Sequence, residues 1–160
     1  MTTGPARCAD ADTIVPTDAR LRRLLAYWRE RCAGRAMPTR ADIDPLDFPY
    51  ILGNVVLLGV EREPAPEALR FRVRLQGTEI VQRLGFDLTG RTVDELEMPG
   101  FRALISKAII EVATRGAPLL RQRNMIMDDR LLRYEAIVLP LGGESGAVEQ
   151  VMIGVLINGA

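Results

Sequence analysis

Histidine is absent from this chain of 160 residues. That removes the usual general base, the commonest zinc ligand, a histidine-ligated haem and a phosphoacceptor histidine. Cysteine is almost as scarce, with only Cys8 and Cys32, at a spacing that matches no metal or redox motif. Reduced thiols, no disulfide and a cytoplasmic compartment are expected on that ground. Neither sign of charge predominates: Lys plus Arg and Asp plus Glu number 21 each, so no global field draws in a polyanion. Nucleic acid is therefore not an expected partner. Long apolar runs are missing too, so no signal peptide is expected in residues 1–16 and no bilayer span in any later stretch.

What is present suits one ordered domain. Apolar residues make up 48% and charged residues 26% of the chain, a balance that supports a folded core. Residues 1–17 are small, polar and without periodicity and read as a flexible tail, leaving residues 18–160 as a single domain. Its first helix covers 18–33: Leu21, Leu24, Leu25, Trp28 and Cys32 fall on one stripe, and Asp18 can cap the start. Gly34 and Pro38 end it, and Asp44 can cap a short helical piece that follows.

Two strands come next, at 54–61 and 69–76, joined by a proline-bearing connection that reads as an antiparallel hairpin. In the second, Leu69, Phe71, Val73 and Leu75 alternate with Arg70, Arg72, Arg74 and Gln76. A short helix over 77–84 stops at Gly85, and a longer one runs from Pro99 to about Arg115. Three strands close the chain as a meander, at 119–127, 131–141 and 148–158. The order predicts an α+β domain: one five-stranded antiparallel sheet with helices on one face, preceded by an N-terminal amphipathic helix.

That order resembles the PAS fold, and the resemblance sharpens at Gly77-Thr78 and at Gly85-Phe-Asp-Leu-Thr-Gly90. More narrowly, the chain resembles a family of stand-alone bacterial PAS proteins. The residues that carry this are Tyr27-Trp28, Pro38 to Asp42 with Asp44-Pro45, the strand from Arg70 to Thr78, Leu88-Thr-Gly90, and Arg133-Tyr-Glu135 running into Leu139-Pro-Leu141. The resemblance implies a sensory or regulatory module that catalyses nothing itself. It also implies a concave sheet with a cleft for a small ligand, an outer sheet face free for dimer or partner contacts, and a signalling partner such as a histidine kinase or cyclic-dinucleotide enzyme. With no effector attached, output is expected in trans or through assembly.

Cofactors can be tested by residue type. A haem of the usual kind lacks its histidine, and a photoreactive flavin lacks a cysteine in the helical middle. No cofactor and no metal are predicted; an apolar small ligand remains, with flavin held without a covalent adduct left open. The pocket would be lined by Phe71, Val73, Leu75, Ile80, Leu84, Phe101 and Ile105, with Thr78 and Tyr134 as hydrogen-bond partners. The competing expectation is that these side chains simply fill the core, which would make the protein a structural adaptor or dimerisation module. A cone-shaped α+β enzyme is a further alternative, set back by the missing histidine and the lack of an inward carboxylate.

The stripe of Leu21, Leu24, Leu25 and Trp28 covers the sheet's outer face, meets its copy in a homodimer, or does both. Arginines at 70, 72, 74, 121, 123 and 133 suggest either an anion-binding strand face or a solvated one. For residues 119–127 both alternations stay open, since each would bury polar side chains. Asp128 and Asp129 read as a turn, and Gly142-Gly-Glu-Ser-Gly146 as a strand connection without the Lys and helix of a phosphate loop.

Overall fold

The computed structural model describes residues 14–62, 69–127 and 129–159. Residues 1–13 of the expected tail, the proline-bearing connection at 63–68 and Asp128 lie outside that range. Three helices and five strands follow in the expected order: α1 (Ala19–Cys32), β1 (Val55–Arg62), β2 (Leu69–Gln76), α2 (Thr78–Leu84), α3 (Pro99–Arg115), β3 (Leu119–Met127), β4 (Arg130–Gly142) and β5 (Val148–Gly159). Short 3-10 turns at 40–42, 45–47, 52–54 and 93–95 fill the connections. The sheet is antiparallel throughout, in the order β2-β1-β5-β4-β3.

Strand alternation gives the sheet two apolar faces, and each is covered. On the inner face Leu58, Phe71, Val73, Val138 and Val151 pack with Ile109, Val112 and Ala113 of α3. On the outer face Leu57, Met152 and Leu139 stand side by side on three adjacent strands and meet the stripe of α1. Leu21, Leu24 and Trp28 are 0% exposed and Leu25 2%. The stripe packs on the sheet of its own chain. The reason is room as well as apolarity. A Cβ at Gly154 would come within 2.7 Å of Leu24 Cδ2, so glycine there lets α1 lie against β5.

Several of the residues that carried the family resemblance join α1 and the segment after it to the sheet. Trp28 Nε1 donates to the Pro140 carbonyl at 2.9 Å, joining α1 to β4. Tyr27 donates to Asp47 at 2.7 Å and accepts from the Asp44 amide at 3.0 Å, tying α1 to the segment after it. Gly142 donates its amide to the Pro38 carbonyl at 2.8 Å. Asp18 caps α1 by accepting from the Arg20 amide at 2.7 Å, as its position predicts.

Glu135 of β4 completes the start of α1 from outside the helix. It accepts from the amides of Thr17 at 2.8 Å and Asp18 at 2.9 Å, and from the side chain of Gln122 on β3. Burial works against the charge on this carboxyl, but these donors more than offset it and hold its pKa below the ordinary value. A depressed carboxylate contributes stability that is complete above its unfolded pKa, near about 4.3, and that is lost as pH falls through the lower folded value. Glu135→Gln should therefore cost about 1 kcal/mol in urea unfolding at pH 7. The difference between wild type and variant should shrink as pH drops below about 4. A difference that grows on acidification would contradict this account of the contact.

One expectation is corrected here. Cys32 is disulfide-bonded rather than a free thiol, and the chain's other cysteine, Cys8, lies outside the described residues. The arginines of β2 and those of β3 stand at opposite edges of the sheet. Asp129 takes a φ of 60°, a turn conformation that Asp tolerates.

Candidate functional site

The inner face is not filled. Between the sheet and its covering helices lies a cavity of about 120 Å³, walled by all five strands below and by α2, the 86–96 segment and α3 above. Its lining is apolar except for three side chains: Gln76, Arg121 and Tyr134. Of the residues expected at a pocket, Val73, Ile80, Leu84, Phe101, Ile105 and Tyr134 line it.

Phe71, Leu75 and Thr78 do not, and each has a local cause. Phe71 is 4% exposed and belongs to the packed part of the inner core. Leu75 is turned away by a β-bulge: Leu57 pairs with Leu75 but Leu58 pairs with Val73, which leaves Arg74 as an extra residue. One extra residue reverses every side chain after it, so Leu75 packs on the α1 side and Gln76 enters the cavity wall. Thr78 lies instead in a separate polar groove of about 480 Å³, with Arg20, Tyr50 and Arg83.

Gln76 serves as a brace. Its Nε2 donates to the Phe86 carbonyl at 3.0 Å and its Oε1 accepts from the Leu88 amide at 2.8 Å. That fixes Phe86 and Leu88 over the cavity. Farther along the segment, Gly90 donates to the Val73 carbonyl at 2.8 Å and Val73 to the Arg91 carbonyl at 2.9 Å, so the loop also covers the edge of β2. Gly90, at a φ of +87°, allows the turn this needs.

The polar end of the cavity is built from β3, β4 and α3. Arg121 Nη2 contacts Glu111 Oε2 at 3.0 Å, while Arg115 Nη1 takes the other oxygen, Oε1, at 3.1 Å. Tyr134 is half-buried, and among the described residues its hydroxyl has no hydrogen-bond partner. Burial pushes its phenol pKa up, while Arg123 and Arg121 pull the other way.

A profile of the family described as PAS domain matches residues 17–157. The chain belongs to the PAS domain family. Among solved structures, that of a variant of RsLOV is similar at 16% identity and a TM-score of 0.44, over 67% of this chain and 62% of that one, just under two thirds of its length. The PAS domain of Bordetella pertussis BvgS has 16% identity and a TM-score of 0.46, over 73% and 87%. A sensory box sensor histidine kinase from Vibrio cholerae has 16% identity and a TM-score of 0.45, over 71% and 90%. No curated protein matches the chain. PAS domains are sensory signalling modules and are generally not catalysts.

In this PAS domain, Gln76 and Arg121 are the polar lining residues that the strand pattern did not assign to the pocket, and apolar ones such as Val56, Leu58, Phe86 and Val138 were not singled out either. The signal for Gln76 was masked by an unbroken alternation along β2, which hides a bulge visible only in the pairing with β1. Arg121 was weighed among the inward choices for β3 but had no partner in view; Glu111, on the inward side of α3, supplies it. The structure selects that alternation, with Arg121 toward the cavity and Leu120 packed beneath the outer core. Neither histidine nor cysteine lines the cavity, and among the described residues no cluster of three or more potential metal ligands occurs. No described helix is long and apolar enough to cross a membrane.

Proposed function

We propose that this protein is a non-catalytic sensory PAS module that binds a compact, largely apolar small molecule in the inner-face cavity and reports its occupancy to a partner signalling protein. The observation that carries this reading is the cavity itself: an apolar space of about 120 Å³ beneath braced covering elements. Apolar cavities of about 150 Å³ hold a one-ring molecule, whereas sites for drug-sized ligands usually run from about 300 Å³ upward. The ligand is therefore a small one, about a single ring in bulk. A flavin or haem does not suit a space of this size, lined by neither cysteine nor histidine. Catalysis finds no support in the lining either, which holds no carboxylate and no histidine to act as a base.

A cavity also separates this reading from that of an adaptor with a filled core, which would leave such a space to no purpose. The test is calorimetric titration of the protein with toluene, beside the variant Ala136→Leu. Ala136 lines the cavity at 5% exposure, so a leucine there occupies the space that the ligand would take. Saturable binding is expected in the wild type, with a loss of about tenfold or more in the variant. Absence of binding in the wild type would overturn the reading.

A further inference from the structure

Resting on that reading, we propose that the ligand is a small monocarboxylate, an apolar body of about one ring with its carboxylate held by Arg121 and Tyr134. The cavity fixes the body. The head is fixed by the charges at one end of the cavity.

Glu111 is the carboxylate paired with Arg121, and it is shared. Its two oxygens are taken by two different arginines, Arg115 and Arg121, so this group of three carries an unbalanced positive charge. Arg123 is paired directly opposite Tyr134 across β3 and β4, so its charge also falls near this phenol. Arg121 spends only its Nη2 on Glu111; among the described residues its Nε and Nη1 have no hydrogen-bond partner. A guanidinium offers five N–H donors in a planar fork that suits a carboxylate, and Arg121, with its side chain 21% exposed, lines an otherwise apolar cavity.

Tyr134 adds the second donor. Its hydroxyl has no partner among the described residues and it lines the same cavity. Gln76, the third polar side chain of the lining, spends its Oε1 on Leu88 and one Nε2 hydrogen on Phe86, which leaves a single neutral N–H donor. At the Arg121–Tyr134 end the free hydrogen-bonding capacity is mostly donors, and the local charge is positive. A carboxylate complements both with two accepting oxygens and a negative charge; a neutral amide offers one accepting oxygen and no charge, and a cation offers neither.

Benzoate, benzamide and toluene, titrated into the full chain by calorimetry, separate the possibilities. Benzoate is expected to bind about tenfold or more tightly than benzamide, the uncharged molecule of nearly the same shape. Arg121→Gln should remove about 10- to 100-fold of benzoate affinity while changing toluene affinity less than about twofold, and Tyr134→Phe should cost benzoate a smaller factor. Benzamide binding as tightly as benzoate would overturn the inference, as would benzoate affinity unchanged in a folded Arg121→Gln. The wild-type ratio of benzoate to benzamide decides the matter even if the variant does not fold. Toluene binding without benzoate binding would sink the carboxylate and spare the cavity reading, and binding of none of the three would sink both.

Discussion

Replacing Trp28 with alanine is expected to destabilise the protein by about 3–5 kcal/mol, the range for emptying a fully buried aromatic site. Trp28 is 0% exposed and is the largest of the fully buried side chains. It lies between α1 and the outer sheet face, beside Leu24, Leu139 and Leu141 in the same core cluster. Its removal opens a cavity there and leaves the Pro140 carbonyl without its indole donor. Since domains have a net stability of only about 5–15 kcal/mol, this loss is a large share of the total, and it corresponds to a fall in Tm on the order of 10 °C. Urea unfolding followed by circular dichroism measures it, since the variant has lost the chain's one tryptophan. A loss below about 1 kcal/mol would mean that α1 is not seated on the sheet as described.

Gly77→Ala is expected to be comparably damaging for a different reason. Gly77 has a φ of −61°, which any residue adopts, so the obstacle is contact and not backbone strain. A Cβ there would come within 2.1 Å of the Gly53 carbonyl oxygen and 2.9 Å of the Asn54 amide nitrogen, both of them backbone atoms that cannot swing aside. Gly77 also donates its amide to the Val55 carbonyl and accepts from the amides of Ile80 and Val81, so it sets where α2 starts against β1. Relief of the clash requires α2 to back away from the sheet, taking Ile80 and Leu84 out of the cavity wall. A cost of about 2–3 kcal/mol is expected, at the upper part of the range for overpacking, together with weakened binding of toluene. Urea unfolding and calorimetry measure the two effects. Unchanged stability would show that the 53–54 backbone yields readily, against the packing described.

Much of this architecture could be read from residue order. Alternation in β2 and apolar runs bounded by turn residues located the five strands, and capping residues such as Asp18 and Asp44 marked helical starts, because these signals depend on neighbours within a few positions. Readings that depended on distant partners fared otherwise. The alternation along β2 continues without a break through Leu75, yet the bulge at Arg74 reverses its last two residues, and only the register against β1 reveals it. The stripe on α1 was equally consistent with a sheet or a second chain as its partner. Gly154, more than a hundred residues away, makes the room in which α1 meets the sheet.

The candidate site divides along the same line. Val73, Ile80, Leu84, Phe101, Ile105 and Tyr134 were legible as inward positions because each lies on the apolar side of its own element, with Tyr134 its polar member. That they enclose space and do not fill it follows from the distance between sheet and helices, which no local pattern encodes. The charge at one end was hidden likewise: Arg121 gains its meaning from Glu111 on α3, and Glu111 gains its own from a second arginine, Arg115.

The central claim, a ligand cavity on the inner face of the sheet, is tested most directly by methyl-resolved NMR of the protein during titration with toluene. The account predicts saturable shifts at the methyls of Val56, Ile80, Ile105, Val138 and Ile153, which line the cavity, and none at Leu24 and Leu139 beneath α1 on the opposite face. Inner-face methyls that do not move at any toluene concentration, or shifts confined to the α1 side, would contradict it.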